Sequence, residues 1–274
     1  RNELSGTLNG LLRVREFRQD DAHIFISEDQ IASEYEEVFS IVKRFYSIFN
    51  IPYSFRLATR PEKFMGDIET WNKAEAVLKK ILDKSSVPYT IAEGDGAFYG
   101  PKVDILMKDA LMREWQMGTV QLDFQQPKRF GLYYTAADGT RKTPVVIHRV
   151  IYGSIERFIG ILIENFAGKF PLWLSPVQVK LMSVNDRNIQ FAKKIAEKMS
   201  KEGLRVEIDD RGESIGKKVR DAQLEKVNYM VTIGDKESEN NTLAVRTREG
   251  KVEFGVKIDD FIKRLKQEIL EKRF

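Results

Sequence analysis

The sequence has no cysteine and only two histidines. The first absence excludes disulfides and thiolate metal ligands within the chain, and it fits a reducing compartment. No apolar run approaches the roughly 18–20 residues needed to cross a bilayer, so no membrane partner is expected. The opening residues lack a signal-peptide pattern. A chain that starts on Arg1 rather than Met is expected to have been trimmed, processed or split. Charge of one sign is scarce as well, with 45 Lys plus Arg against 41 Asp plus Glu. The small excess sits late: residues 177–274 hold 22 Lys plus Arg against 18 Asp plus Glu. That fits a polyanion partner as well as a solvated surface. What remains is 274 residues, 42% hydrophobic and 31% charged, enough for one or two domains with proper cores.

Residues 1–25 read as two strands joined by a basic, Gly-studded loop. Ser27-Glu28-Asp29-Gln30 is a capping-box start. A helix runs from it with apolar residues at Ile31, Tyr35, Val38, Val42, Phe45 and Phe49, and Pro52 ends it. Thr70 to Asp83 reads as a second helix. Val103–Met107 and Glu114–Phe124 read as antiparallel strands, and Asp138-Gly139 as a hairpin turn leading to the strand Pro144–Val150. Gly153–Phe166 is a helix with one apolar side. The texture changes at "KFPLWLSPVQV", where the domain boundary is placed. Beyond it, strands at 177–184, 204–208, 229–233 and 243–247 alternate with helices at 187–202, 214–226 and 259–272. This predicts a small α/β layer structure.

The segment "RNELSGTLNGLLRVREFRQDDAHIF" together with "GSIERFIGILIE" resembles the second and third signature motifs of class II aminoacyl-tRNA synthetases. "RPEKFMGDIETW", "GAFYGPK", "GTVQLDF" and "VIHR" narrow the resemblance to the threonine-specific family, over essentially the whole chain. It implies an α+β catalytic domain on an antiparallel sheet (1–173), followed by a small α/β anticodon-binding domain (177–274). The implied activity is threonine–tRNA ligation, with threonine, ATP and threonine tRNA as partners. A homodimer would form through a portion N-terminal to this chain, in the cytoplasm or the mitochondrial matrix.

The resemblance also assigns residues, and their chemistry suits the roles. Arg1 would hold the α-phosphate and the threonine carboxylate, for which a guanidinium fork is apt. Glu3 would accept from the adenine amino group. Arg13 would reach the outer phosphates, and Phe17 would stack on the adenine. Arg157 would cover the other ring face near the γ-phosphate. Mg²⁺ is expected with the pyrophosphate leaving group. Asp21 would accept from the threonine hydroxyl. Gln19, Tyr99, Lys102 and Gln121 match positions around the amino acid and the acceptor end, with Lys102 among the catalytic set. His23 and His148 match two of three Zn²⁺ ligands; the third is expected upstream of this chain. A Lewis acid that takes the amino and hydroxyl groups of threonine rejects valine, which an apolar pocket excludes only about a hundredfold. Read without the motifs, two isolated histidines are ordinary polar residues.

In the C-terminal part Arg220, Glu237 and Arg246 match anticodon-reading positions. Arg211, Lys217, Lys218 and Arg248 could hold phosphates. In "VRTR" the alternation points Arg246 and Arg248 to one strand face. Two other readings stay open: a non-catalytic tRNA-binding relative, and another class II synthetase. The ATP-clamp residues Arg1, Glu3 and Arg157 speak against the first, and the paired His23 and His148 against the second.

Overall fold

The computed structural model describes residues 2–274. The chain divides into two compact units, Arg1–Asn165 and Phe166–Phe274. The division falls earlier than the proline-rich stretch marked in the sequence. Leu172 belongs to the second core, and the Phe170 carbonyl accepts from Asn228 (3.0 Å) and Arg248 (2.8 Å). The prolines therefore sit inside the second unit.

In chain order the first unit comprises β1 (Ala22–Ile26), α1 (Ile31–Ile48), β2 (Tyr53–Ala58), α2 (Ile68–Lys84), β3 (Tyr89–Ala92), β4 (Lys102–Lys108), β5 (Glu114–Asp123), α3 (Gln126–Arg129), β6 (Tyr134–Thr135), β7 (Arg141–Lys142), β8 (Val145–Val150) and α4 (Ile155–Asn165). Six strands form one sheet in the order β1-β8-β5-β4-β2-β3. Every pairing is antiparallel except β2 with β3. Alternation sets the two faces. Phe55, Leu57, Val103, Ile105, Val120, Leu122 and Ile147 are buried on one of them, and burying each such side chain stabilises by roughly 1.5–3 kcal/mol. α1 covers that face with Ile31, Tyr35, Val38, Phe39, Val42 and Tyr46, the spacing of an apolar helix stripe. Phe39 stacks on Phe55 with ring centroids 4.5 Å apart. Tyr46 takes the inward place predicted for Phe45, which instead packs edge-on against Tyr152. The capping box forms, with Gln30 Oε1 accepting from the Ser27 N–H at 3.0 Å.

One expected strand is absent among the described residues. Ahead of the basic loop, Asn2–Thr7 has no ladder partner and folds as a turn closed by the Thr7 N–H on the Leu4 carbonyl (3.2 Å). Among the described residues β1 lies at one edge of the sheet. The hairpin at Asp138-Gly139 joins the short β6 and β7 rather than leading directly into β8.

The second unit comprises β9 (Val179–Ser183), α5 (Ile189–Lys201), β10 (Val206–Asp209), α6 (Ile215–Leu224), β11 (Tyr229–Ile233), α7 (Asp235–Asn240), β12 (Thr242–Thr247), β13 (Val252–Lys257) and α8 (Ile258–Leu270). Its sheet runs β10-β9-β11-β12-β13, the first three strands parallel and the rest antiparallel. Ala192, Ile195 and Met199 of α5 and Phe261, Ile262 and Leu265 of α8 share one core with Leu181, Val231 and Val245. Ala222 of α6 packs with Met182 and Met230 in a second, smaller core.

Candidate active site

Strand register aligns four of the predicted residues in one row. His23 on β1 faces His148 on β8, His148 faces Gln121 on β5, and Gln121 faces Lys102 on β4. Directly opposed residues lie about 4.5–5.5 Å apart on the same sheet face. Four polar side chains from four strands thus line the face opposite the apolar core. The two imidazoles meet edge-to-face, with centroids 4.7 Å apart. Tyr99 joins them from the turn before β4. Its ring lies 5.8 Å from His148, and its hydroxyl donates to Gln121 Oε1. Burial raises the Tyr99 phenol's pKa, with the charges of Asp123 and Asp21 adding to the effect, so it remains a neutral donor. The turn can seat there because residue 100 is glycine: a Cβ would stand 1.6 Å from the Leu122 carbonyl oxygen.

Three aspartates hold this row, and none was singled out from the sequence. Asp104 is fully buried. Its Oδ2 accepts from Arg56 (2.8 Å) and Lys102 (3.2 Å), and its Oδ1 from Gln116 (2.8 Å). Asp123 is also fully buried. Its Oδ1 accepts from the N–H groups of Gln125 and Gln126, and its Oδ2 lies 3.0 Å from His148 Nε2. Burial pushes the Asp123 carboxyl's pKa up, but His148 and those N–H groups outweigh it and hold it below the usual range. Asp20, beside the predicted Asp21, accepts from the N–H groups of Ile151 and Tyr152 at 3.0 Å each. It anchors the segment before β1 to the end of β8. Asp21 is exposed.

Next to the row lies a cavity of about 190 Å³ whose lining includes Phe17, Gln19, Met117, Thr119, Ser154 and Arg157. The start of α4 builds it. The Ile155 N–H donates to the Arg18 carbonyl (2.9 Å), and the Glu156 carboxylate accepts from the Arg18 N–H (3.1 Å). Phe17 and Gln19 thereby line the same cavity as Arg157. The Arg157 guanidinium donates to the carbonyls of Leu12 (2.9 Å) and Gln116 (3.0 Å) and sits over the Trp115 ring at 5.0 Å. Trp115 is fixed in turn by its indole N–H on Asp109 (2.8 Å). A larger hollow of about 840 Å³ lies by the N-terminal ends of α1 and α2. It contains none of the predicted residues and its Lys73 is ion-paired with Glu28, so size does not mark the site here.

Glu3 and Arg13, assigned to different parts of the nucleotide, are brought onto each other. Arg13 Nε and Nη2 both lie 3.0 Å from Glu3 Oε2, which also accepts from Thr7 (3.2 Å). Arg1 lies outside the described residues. Among the described residues no group of three His, Cys, Asp or Glu side chains could hold a metal ion.

In the second unit several expected phosphate contacts are otherwise engaged. Lys218 is buried, and its ammonium donates to the carbonyls of Ser183 (2.9 Å) and Asp209 (3.1 Å) at the ends of β9 and β10. Arg211 is forked on Asp209 and also reaches Asp221 (3.0 Å). Lys217 pairs with Glu213 at 2.8 Å. Arg248 falls just past β12 and donates to the Phe170 carbonyl, so it does not continue the strand alternation with Arg246. Arg220 is exposed on α6. Glu237 caps α7 by accepting from the Gly234 N–H at 2.9 Å. Arg246 pairs across from Met230 near the start of β11, whereas Glu237 follows that strand's end. Register therefore keeps these two at opposite ends of β11.

Comparison with known proteins follows the same division. The family described as tRNA synthetase class II core domain (G, H, P, S and T) matches residues 1–166, and the anticodon binding domain family matches residues 178–268. A threonine–tRNA ligase of Desulfatibacillum aliphaticivorans is 57% identical over 96% of this chain and 41% of its own length. One from Clostridium novyi is 51% identical over 99% of this chain and 43% of its own. The chain thus spans well under half the length of these curated relatives. A crystal structure titled as the RNA binding domain of threonyl-tRNA synthetase from Cryptosporidium parvum superposes with a TM-score of 0.90 at 39% identity. The match covers 97% of this chain and 68% of that one. On this evidence the chain belongs to the class II aminoacyl-tRNA synthetases, as a core domain of the G, H, P, S and T group joined to an anticodon-binding domain, with threonyl-tRNA synthetases as its near relatives.

Proposed function

We propose that the first unit activates threonine with ATP to threonyl-adenylate and passes it to threonine tRNA, while the second unit reads the anticodon. The observation that carries this reading is the row of His23, His148, Gln121 and Lys102 beside the cavity of Phe17, Gln19 and Arg157. Activation is an in-line attack of the threonine carboxylate on the α-phosphate, so positioned positive charge does most of the work. Arg157 and Phe17 hold the nucleotide's outer phosphate and ring, with Arg1 on the α-phosphate. Arg13 and Glu3 exchange their mutual pairing for the phosphates and the adenine amino group. Asp21, Gln19, Tyr99 and Gln121 orient the amino acid. Lys102 faces the acceptor end. Mg²⁺ accompanies ATP.

The donor chemistry of the row fits Zn²⁺. A histidine ligand characteristically gives its second nitrogen to a carboxylate, and Asp123 occupies His148 Nε2, which leaves Nδ1 as the nitrogen for an ion. His23 and His148 would hold the ion, with the remaining protein donor supplied from outside this chain, since two imidazoles do not close a site. Bound there, the metal supplies a Lewis acid that takes the amino and hydroxyl groups of threonine. In the second unit Arg220, Glu237 and Arg246 contact anticodon bases. The working form is a cytoplasmic homodimer.

Threonine-dependent ATP–pyrophosphate exchange tests the reading. Exchange with threonine is expected, with valine more than about a hundredfold slower. Anticodon stem-loop binding without any exchange points instead to a tRNA-binding relative. Exchange driven by proline or histidine points to another synthetase of the group.

A further inference from the structure

Asp104 has no part in the chemistry above, yet its carboxylate accepts from three side chains, Arg56, Lys102 and Gln116. It stands two residues after Lys102 on β4, on the same sheet face. It is fully buried, and a buried carboxylate must be paired to be tolerated. Lys102 Nζ lies 3.2 Å away, and the Lys102 side chain is only 14% exposed. Arg56 donates through Nη2 (2.8 Å) and Nε (3.3 Å). Gln116 donates to the other oxygen at 2.8 Å. Gln116 also has a second task, because its carbonyl accepts from Arg157 Nη1 at 3.0 Å.

We infer that Asp104 is a positioning residue that sets two of the site's cations, holding Lys102 directly and Arg157 through Gln116. This rests on the synthetase reading for what the cations do, but not for where they stand. The geometry explains the choice of an acid over an amide. An amide presents only one acceptor oxygen and turns a donor toward a cation, whereas a carboxylate serves Lys102 and Arg56 on one oxygen and Gln116 on the other. Arg56 makes the arrangement rigid by sharing its Nη2 between Asp104 and Gln116 Oε1 (3.4 Å). Asp95 adds charge at the rim, 3.6 Å from Arg56 and 3.8 Å from Lys102, but it is exposed and cannot substitute for the buried group.

Two measurements on the intact chain test this. The first is the rate at which an amine-acylating reagent labels Lys102, read by peptide mass spectrometry. Asp104→Asn should speed labelling by about tenfold, the loss of one charge-assisted hydrogen bond, and Asp104→Glu should restore protection. Unchanged labelling in Asp104→Asn overturns the proposal, whatever the chain's activity. The second is affinity for a non-hydrolysable threonyl-adenylate analogue. Asp104→Asn should weaken it by about tenfold in the wild-type background but by less than about twofold in a Lys102→Met, Gln116→Ala background, where the couplings are already broken. An equal loss in both backgrounds means a merely structural role and overturns the proposal. If the analogue binds no form while the labelling result holds, the positioning claim stands and the synthetase reading falls.

Discussion

At the residue scale, polar groups within the sheet and the α6 stripe are what the sequence conceals. Lys218 is the plainest case. With Ile215, Val219 and Ala222 it fills an i, i+3, i+4, i+7 stripe, but its charge reads as a phosphate contact and masks that buried place. Asp104 could be assigned to a face, since Val103 and Ile105 flank it. Its burial depends on Arg56, which is 48 residues away in sequence, and no local pattern reports that. Asp109 allows a pH test. Burial pushes its carboxyl up, but donors from Trp115, Arg113 and Leu111 outweigh this and bring it down to about 2. A depressed carboxyl stabilises the fold above the ordinary carboxylate range. That contribution is lost as pH falls from about 4 to about 2. The gap in urea midpoint between wild type and Asp109→Asn should therefore be widest at neutral pH and close in acid. A gap that ignores pH would contradict this assignment.

At the element scale the amphipathic helices and apolar strands were readable, because each of these helices buries one clear stripe and each of these strands carries buried apolar residues: α1, α2, α4, α5 and α8, and β4, β5, β8, β9 and β11, lie within a few residues of their predicted spans. The elements not foreseen have mixed faces. β2 puts Arg56 in its middle. β13 carries Gly255 at a positive φ of 67°, and β3 is only four residues long. The joint between β8 and α4 matters most for the site. Gly153 sits there at φ 75°, and a Cβ would lie 1.9 Å from the Met117 carbonyl oxygen. Backbone cannot yield as a flexible side chain would. Gly153→Ala should cost the first unit more than about 2 kcal/mol in urea unfolding. It should also loosen Arg157, which hangs one turn further on. A stability change within about 0.5 kcal/mol would show that the turn relaxes and that the glycine is incidental.

For the whole molecule, each unit has a core of its own, Phe55, Leu57, Val103 and Ile105 among the buried residues of the first and Leu181, Val231 and Phe261 among those of the second. Residues 166–274 expressed alone should unfold cooperatively and, on the proposed function, bind an anticodon stem-loop. That binding should weaken steeply as salt is raised, as expected for phosphate contacts. Absence of a cooperative transition would mean that the second core does not stand alone. The motifs made the two-part organisation legible, and the resemblance named the residues. Which of them converge was a matter of strand register, which a sequence records only indirectly. That register has one further effect. His23, the outermost member of the row, lies on β1, which among the described residues hydrogen-bonds to β8 alone of the sheet's strands. Its ladder has half the lateral support of β5 or β4. Fraying begins at such rims, so, on the proposed function, gentle warming should blunt the choice between threonine and its look-alikes well before the rest of the sheet gives way.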